Sequence, residues 1–487
     1  MKKKILSLVL ALLIVLSTVA LTACGGQKTA PQDNSTSGAA SAESGTVANF
    51  EVPEGGYDGS DVTITFYHTM GENLSTVLDQ YIAEFNKLYP NIHVNHEKIG
   101  NYDDVREQIS TEITVGNQPN LAYCYPDHVA LYNLAKAVVQ LDNLIDSQVE
   151  VKRADGTTEI LGLTDEQKAD FIEGYYNEGR QFGDGLMYTL PMSKSTEVLY
   201  YNKSFFDENS LTVPTTWEEM EAVCAKIKEI DPESCPLGYD SEANWFITMC
   251  EQYQSPYTSA TGDHYIFNNN QNKDFVKMFN SWYQKGYLTT QKIYGGYTSG
   301  LFTAEDGMRS YMSIGSSAGA NHQLPQTDAD GNYRFEVGVA TIPQVSDSNK
   351  KVISQGPSLC IFKDSNHQEV VASWLFAKFL TTNVDFQSEF AMASGYVPVL
   401  KSVSSNPSYA QFLANADGGK YIAALAAKVC LDQADAYYTS PAFNGSSTAR
   451  DQVGGLMVKA LTAKGDDLDA QIDKAFQEAM DECEYAN

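Results

Sequence analysis

The chain has 487 residues and a formal net charge of −29, with 33 Lys and Arg against 62 Asp and Glu. So acidic a chain repels phosphate backbones and anionic surfaces, and no nucleic-acid partner is expected. Its length exceeds what a single hydrophobic core holds, so the body should divide into two lobes or domains.

Lys2, Lys3 and Lys4 precede an apolar run from Ile5 to Val19, then small residues, then Cys24 in "LTAC". A basic start, an apolar stretch and small residues before a cut describe an export signal, residues 1–23. The run is also nearly long enough to span a bilayer, which leaves an uncleaved anchor as the alternative. "LTAC" resembles the bacterial lipobox, which implies cleavage before Cys24 and lipidation of its thiol. Loss of the three lysines takes the mature chain from −29 to −32. Residues 24–59 are rich in Gly, Ser, Ala, Thr and Asn and poor in large apolar side chains, so they read as a flexible tether.

The body begins with "DVTITFYHTM" (61–70), which alternates like a strand. Leu74, Leu78, Tyr81, Phe85 and Leu88 then share one helical face, and Pro90 stops that helix. "NIHVNHEKI" reads as a strand, "DDVREQISTEITVGNQPN" as a helix with Val105, Ile109 and Ile113 inward, and "LAYCYP" as a strand. This alternation predicts an α/β fold with a parallel sheet covered by helices. Farther on, Val198–Tyr201 reads as a buried strand. Thr216 and Glu219 form a capping box for a helix expected to be buried through Met220, Val223, Cys224, Ile227 and Ile230. "YRFEVGVATIP" and "SLCIF" are strands, "VVASWLFAKFL" is a buried helix, and Leu468, Ile472 and Phe476 mark the last helix.

Few residues fit a catalytic or metal motif. His93 and His96 fall on opposite faces of their strand, which does not suit joint ligation. "TDADGN" (327–332) lacks the later acidic ligand of a calcium loop and reads as a turn. No GxSxG, HExxH or P-loop occurs, and no carboxylate pair stands out as that of a glycosidase. The cysteines beyond Cys24 number seven, scattered and without CxxC, and read as buried thiols; one bridge within Cys224–Cys250 is the alternative. No cofactor and no metal site is expected.

One stretch is anomalous. In "LPMSKSTEVLYYNK", Ser193, Lys194, Ser195, Thr196 and Glu197 are packed directly against a buried strand. With Tyr102, Asp127, Trp245, Ser316, Ser317, Gly356 and Tyr396 they make a set of polar and aromatic residues near strand ends, where parallel α/β folds place ligands. Hydroxyls, amides and carboxylates hold sugar oxygens, and aromatic faces cover sugar C–H surface.

These pieces carry a resemblance. "ITFYHTMGENLSTVLDQYIAEFNKLYPNIHV", "GNYDDV", "GNQPN", "LPMSKSTEVLYYNKSFFDENSL", "VPTTWEEM", "QGPSLCIF" and "SGYVPV" occur in order over about residues 62–400. The chain resembles the extracellular solute-binding proteins of ABC importers, the family that includes maltose- and glycerol-phosphate-binding proteins. The resemblance implies two α/β lobes, joined by hinge crossings, that close on a ligand. It places the lobes at 60–193 plus 316–380 and at 194–315 plus 381–487. The crossings would fall at Pro191–Lys194, near Ser310–Gly319 and after "SWLFAKFL". By position it assigns ligand contact to Tyr102, Asp127, Ser195, Trp245, Ser316, Gly356 and Tyr396, and the crossing it implies turns Thr196 and Glu197 to the cleft as further contacts. A pair of Lys194 with Glu197 at the hinge is the alternative to a ligand role for Glu197. The phosphate-binding arginine of glycerol-phosphate binders falls in Ser440–Ser447, where this chain has none, and this favours a neutral sugar or short oligosaccharide. The implied partners are a carbohydrate, the permease subunits of an importer, and the cell membrane through a lipid at Cys24 on its extracellular face. The implied protein is a monomer and not an enzyme. Capture of another solute such as a glycerol-phosphate derivative, and extracellular glycosidase activity, are the alternatives.

Overall fold

The computed structural model describes residues 50–182, 184–416 and 421–485; the expected export signal and Cys24 lie outside them. Fourteen strands occur in chain order among the described residues. They are β1 Val62–His68, β2 Ile92–Lys98, β3 Leu121–Cys124, β4 Glu150–Lys152, β5 Thr158–Ile160, β6 Leu190–Pro191 and β7 Ser195–Asn202. There follow β8 Leu237–Tyr239, β9 Leu288–Thr290, β10 Met312–Ser316, β11 Val337–Ala340, β12 Val352–Gln355, β13 Ser358–Ile361 and β14 Tyr437–Tyr438.

Two mixed sheets build two lobes. The first has the order β2-β1-β3-β13-β6. Strand β1 runs parallel to β2 and β3, as the alternation of strand and helix requires, and β13 runs antiparallel to β3. The second sheet has seven strands, in the order β14-β12-β7-β10-β8-β9, with β11 also on β7. Helices Glu72–Leu88 and His367–Thr382 bury Leu78, Phe85, Trp374 and Phe376 with the first sheet. Helices Trp217–Ile230, Glu242–Gln252 and Asn270–Gln284 bury Met220, Trp245 and Phe279 with the second.

Strand pairing relocates part of the expected lobe boundaries. β11 and β12 fall in 316–380, expected in the first lobe, yet both pair with β7 in the second sheet. Strand β10 is followed by β11 in the same sheet, so the chain does not cross near Ser310–Gly319. It crosses at Gly356 and Pro357, between β12 and β13, and at Met192–Lys194, between β6 and β7. Helix Val384–Ser394, expected in the second lobe, packs on helix Glu72–Leu88 of the first, and helix Ile422–Asp432 lies across β7 and β11. The amino-terminal edge shifts as well: Phe50 and Tyr57, read as tether, are buried in the first core.

The two crossings press together. Gly356 has φ +110°, and a Cβ there would lie 2.5 Å from Ser193 O and 2.7 Å from Lys194 Cα. Only glycine fits both the dihedral and the approach. Beside it the Lys194 ammonium is fully buried. It donates to Glu178 Oε1 at 2.8 Å, Ser358 Oγ at 3.1 Å and Gly356 O at 3.3 Å. Lys194 therefore pairs with Glu178, and the alternative pairing with Glu197 is not formed. All seven cysteines of the described body are buried.

Candidate functional site

Between the lobes lies a cavity of about 830 Å³. Four helices begin at it: Tyr102–Ile113, Pro126–Leu134, Glu242–Gln252 and Ser446–Thr462. Local sequence fixes these ends. Asn101 accepts from the Asp103 and Asp104 amides and Asp104 returns the bond to the Asn101 amide; Ser241 accepts from the Asn244 amide. Helix N-termini carry partial positive charge, which suits walls holding the five carboxylates Asp103, Asp127, Glu197, Asp240 and Asp451 against two guanidinium groups, Arg106 and Arg450.

The wall of the first lobe is aromatic. Tyr102 stacks on Tyr125 with centroids 4.5 Å apart and planes at 25°. Its hydroxyl lies 3.4 Å from that of Tyr396. Burial, and the neighbouring phenols after it, push the Tyr102 hydroxyl well above its ordinary pKa, so it serves as a neutral donor and acceptor. The wall of the second lobe is a hydrogen-bonded lattice centred on Asn244. Asn244 donates to Glu197 Oε1 at 2.9 Å and to Gln355 Oε1 at 2.7 Å, and accepts from Arg450. Glu197 also accepts from the Tyr239 hydroxyl at 2.5 Å. Burial raises its carboxyl from 4.5 to about 7, against those hydrogen bonds and Arg450. Asp240 is raised by burial too, although Thr298 donates to it twice, at 2.6 and 2.7 Å.

Two polar contacts join the walls. Ser447 donates to Asp127 Oδ2 at 2.9 Å, and Arg106 approaches Asp451 at 3.9 Å. Each links a helix of the first lobe to the Ser446–Thr462 helix.

Tyr102, Asp127, Glu197, Ser316 and Tyr396 of the expected set line this cavity. Ser195, Thr196, Gly356 and Trp245 do not. Thr196 is buried and donates to Ile353 O at 2.8 Å, which ties β7 to β12, and Ser195 is buried opposite Gln355 in the same ladder. Gly356 serves the crossing through its backbone. Trp245 is 0% exposed and packs on Tyr239, Phe279 and Trp217, so it is a core residue and not a stacking platform. Ser317 is buried, and Ser316 caps the turn that follows by accepting from the Ala318 amide. Sequence reasoning missed Tyr125, Asn244, Gln355, Arg106 and Arg450. Tyr125 and Asn244 stood beside residues that were chosen. Arg450 lies one helical turn past Ser440–Ser447 and places a guanidinium in the wall after all. Among the described residues no cluster of His, Cys, Asp and Glu suits a metal ion.

A family model described as bacterial extracellular solute-binding protein matches residues 80–416, more than half of the chain. The chain belongs to that family. Among curated proteins, the sn-glycerol-3-phosphate-binding periplasmic protein UgpB of Escherichia coli strain K12 is 22% identical over 364 residues, covering 70% of this chain and 75% of its own. Among solved structures, UgpB of Mycobacterium tuberculosis in complex with glycerophosphocholine superposes with a TM-score of 0.68 at 17% identity, over 87% of this chain and 98% of that one. The cyclic alpha-maltosyl-1,6-maltose binding protein of Arthrobacter globiformis gives 0.65 at 18% identity, over 88% and 100%. These likenesses show the two-lobed periplasmic-binding-protein fold. No helix among the described residues is long and apolar enough to cross a membrane.

Proposed function

We propose that the protein captures a neutral sugar or short oligosaccharide outside the cell and delivers it to the permease subunits of an ABC importer. The observation that carries this reading is the mixture in the cavity walls: stacked tyrosine faces beside carboxylate, amide and hydroxyl groups. A polyol needs both. The relatives named for maltose-type sugars support it, and the family is one of binding proteins, so capture without catalysis is the reading. The protein works as a monomer, held to the membrane by a lipid on Cys24. Partition of the Cys24→Ser protein into the medium checks that anchor, and unchanged membrane retention rejects it.

A second reading has an observation behind it. Arg106 and Arg450 stand in the wall, and relatives are named for glycerol phosphate and glycerophosphocholine. A phosphodiester would meet Arg450, but it would also face a surplus of carboxylates. Calorimetric titration of the purified protein with maltose, maltotriose, cellobiose and glycerophosphocholine separates the two. Binding of a sugar with no heat from the phosphodiester is expected. The reverse result overturns the carbohydrate reading.

A further inference from the structure

Behind Tyr125 and Asp127, on the hinge side of the cleft, lies a smaller chamber of about 60 Å³. Its mouth shares Tyr125, Asp127, Gln355 and Arg450 with the large cavity, so it opens from the ligand site. Its inner wall includes Glu178, Thr258 and Ser354, with Ile247, Tyr257 and Ile353 as apolar sides. Glu178 is 3% exposed and Ser354 5%, yet Glu178 Oε2, Ser354 Oγ and Thr258 Oγ1 have no hydrogen-bond partner. A buried polar atom left unpartnered costs about 1–3 kcal/mol, so three around one space mark a place where something polar belongs.

The size and the charge narrow the occupant. A water needs roughly 10–15 Å³ on this measure, so the chamber holds a group of a few heavy atoms. The Glu178 carboxylate is matched by Lys194 at 2.8 Å, and Asp127 shares the mouth with Arg450, so the chamber is close to electroneutral. A phosphate would face Glu178 Oε2. An ammonium group would have to pass Arg450. A hydroxyl both donates to the carboxylate and accepts from a serine or threonine hydroxyl. We propose that this chamber is an end subsite that takes the terminal hydroxymethyl group of the sugar held in the cleft. This rests on the carbohydrate reading. The main cavity then holds the rings, and the chamber sets which end of the sugar enters and whether that end carries the group.

The test uses the purified lipid-free protein and calorimetric titration with a panel of neutral hexose mono-, di- and trisaccharides. The tightest binder is then compared with analogues in which the hydroxymethyl group of each end is replaced by methyl. One such 6-deoxy analogue is expected to bind the wild type about tenfold or more weakly, as loss of a neutral hydrogen bond requires. Ser354→Ala and Thr258→Val remove the unpartnered hydroxyls with little change of shape. Each should weaken the parent sugar by a similar factor, leave the 6-deoxy analogue unchanged, and leave thermal melting of the free protein unchanged or raised. If a sugar binds but neither variant alters its affinity or its preference over the analogue, the chamber is not a subsite and the carbohydrate reading stands. If no sugar binds the wild type, both fail.

Discussion

The two walls of the cleft solve different problems. The first lobe supplies rings: Tyr102, Tyr125 and Tyr396 offer apolar faces with neutral hydroxyls at their edges. The second lobe supplies Glu197, Asn244, Gln355 and Arg450, already bonded to one another and held in place before any ligand arrives. The first lobe adds Asp103, Arg106 and Asp127 to its rings, the second is mainly polar, and each lobe carries part of the site. A ligand spanning both would drive closure only by binding a closed arrangement more tightly than an open one.

Four substitutions break or sharpen this contrast. The largest effect is expected where a ring stands in the polar lobe without serving the site. Trp245→Ala should cost ~3–5 kcal/mol of stability, as truncation of a core indole does, seen as a lower melting temperature. Any surviving folded protein should bind ligand as before; normal stability with lost affinity would return Trp245 to the cleft.

Next comes the lattice, read through pH. Burial raises Glu197 from 4.5 to about 7, so the folded state holds its proton where the unfolded state has released it. Its contribution to stability is full below the unfolded value and is lost as pH rises through about 7, a swing of ~3 kcal/mol by linkage. Glu197→Gln should flatten the decline in melting temperature between pH 5 and 8, because the Tyr239 hydroxyl can turn to accept from the new amide. The first lobe has a residue of opposite sign. Burial lowers His68 to about 4, so its contribution is present above 6.5 and is lost as pH falls through about 4. An unchanged pH profile in the Gln variant would remove Glu197 as the source.

Tyr102→Ala tests the aromatic wall and should weaken sugar binding by ~2 kcal/mol in calorimetry, the threshold of a hot-spot ring, with melting little changed. Unchanged affinity would assign the stacking to Tyr125 or Tyr396. The smallest effect belongs to the contact between the walls. Ser447→Ala removes one hydrogen bond that exists only when the lobes meet, and should cost ~1 kcal/mol of affinity. X-ray scattering should show a larger radius of gyration at subsaturating ligand; an identical radius would make Asp127–Ser447 incidental.

Much of the fold was readable because its signals are local. The 3.6-residue stripe of Leu74, Leu78, Tyr81 and Phe85 and the capping box at Thr216 need no distant partner to be recognised. The lobe that β11 and β12 join is different, because it depends on which strand they meet more than a hundred residues away, and neither composition nor alternation encodes that. At the site the failures were angular. Successive helix residues point about 100° apart. Asn244 faces the cavity, and Trp245, the next residue, turns into the core. Thr196 and Glu197 likewise sit side by side on β7 and take opposite directions, one to a strand carbonyl and the other to the lattice. The polar run that looked like one feature is three: an ion pair at the hinge, a rung between strands, and a single residue of the ligand wall.

The contact at Gly356 acts as the pivot of a pair of scissors. Where two ribbons touch with no side chain between them, rotation moves nearby atoms least and distant ones most. In a hinge motion about this contact, groups close to it, among them Glu178 and Lys194, would change their spacing least, and Tyr102 and Arg450 most. The deep end of the cleft would shift least and the rim most.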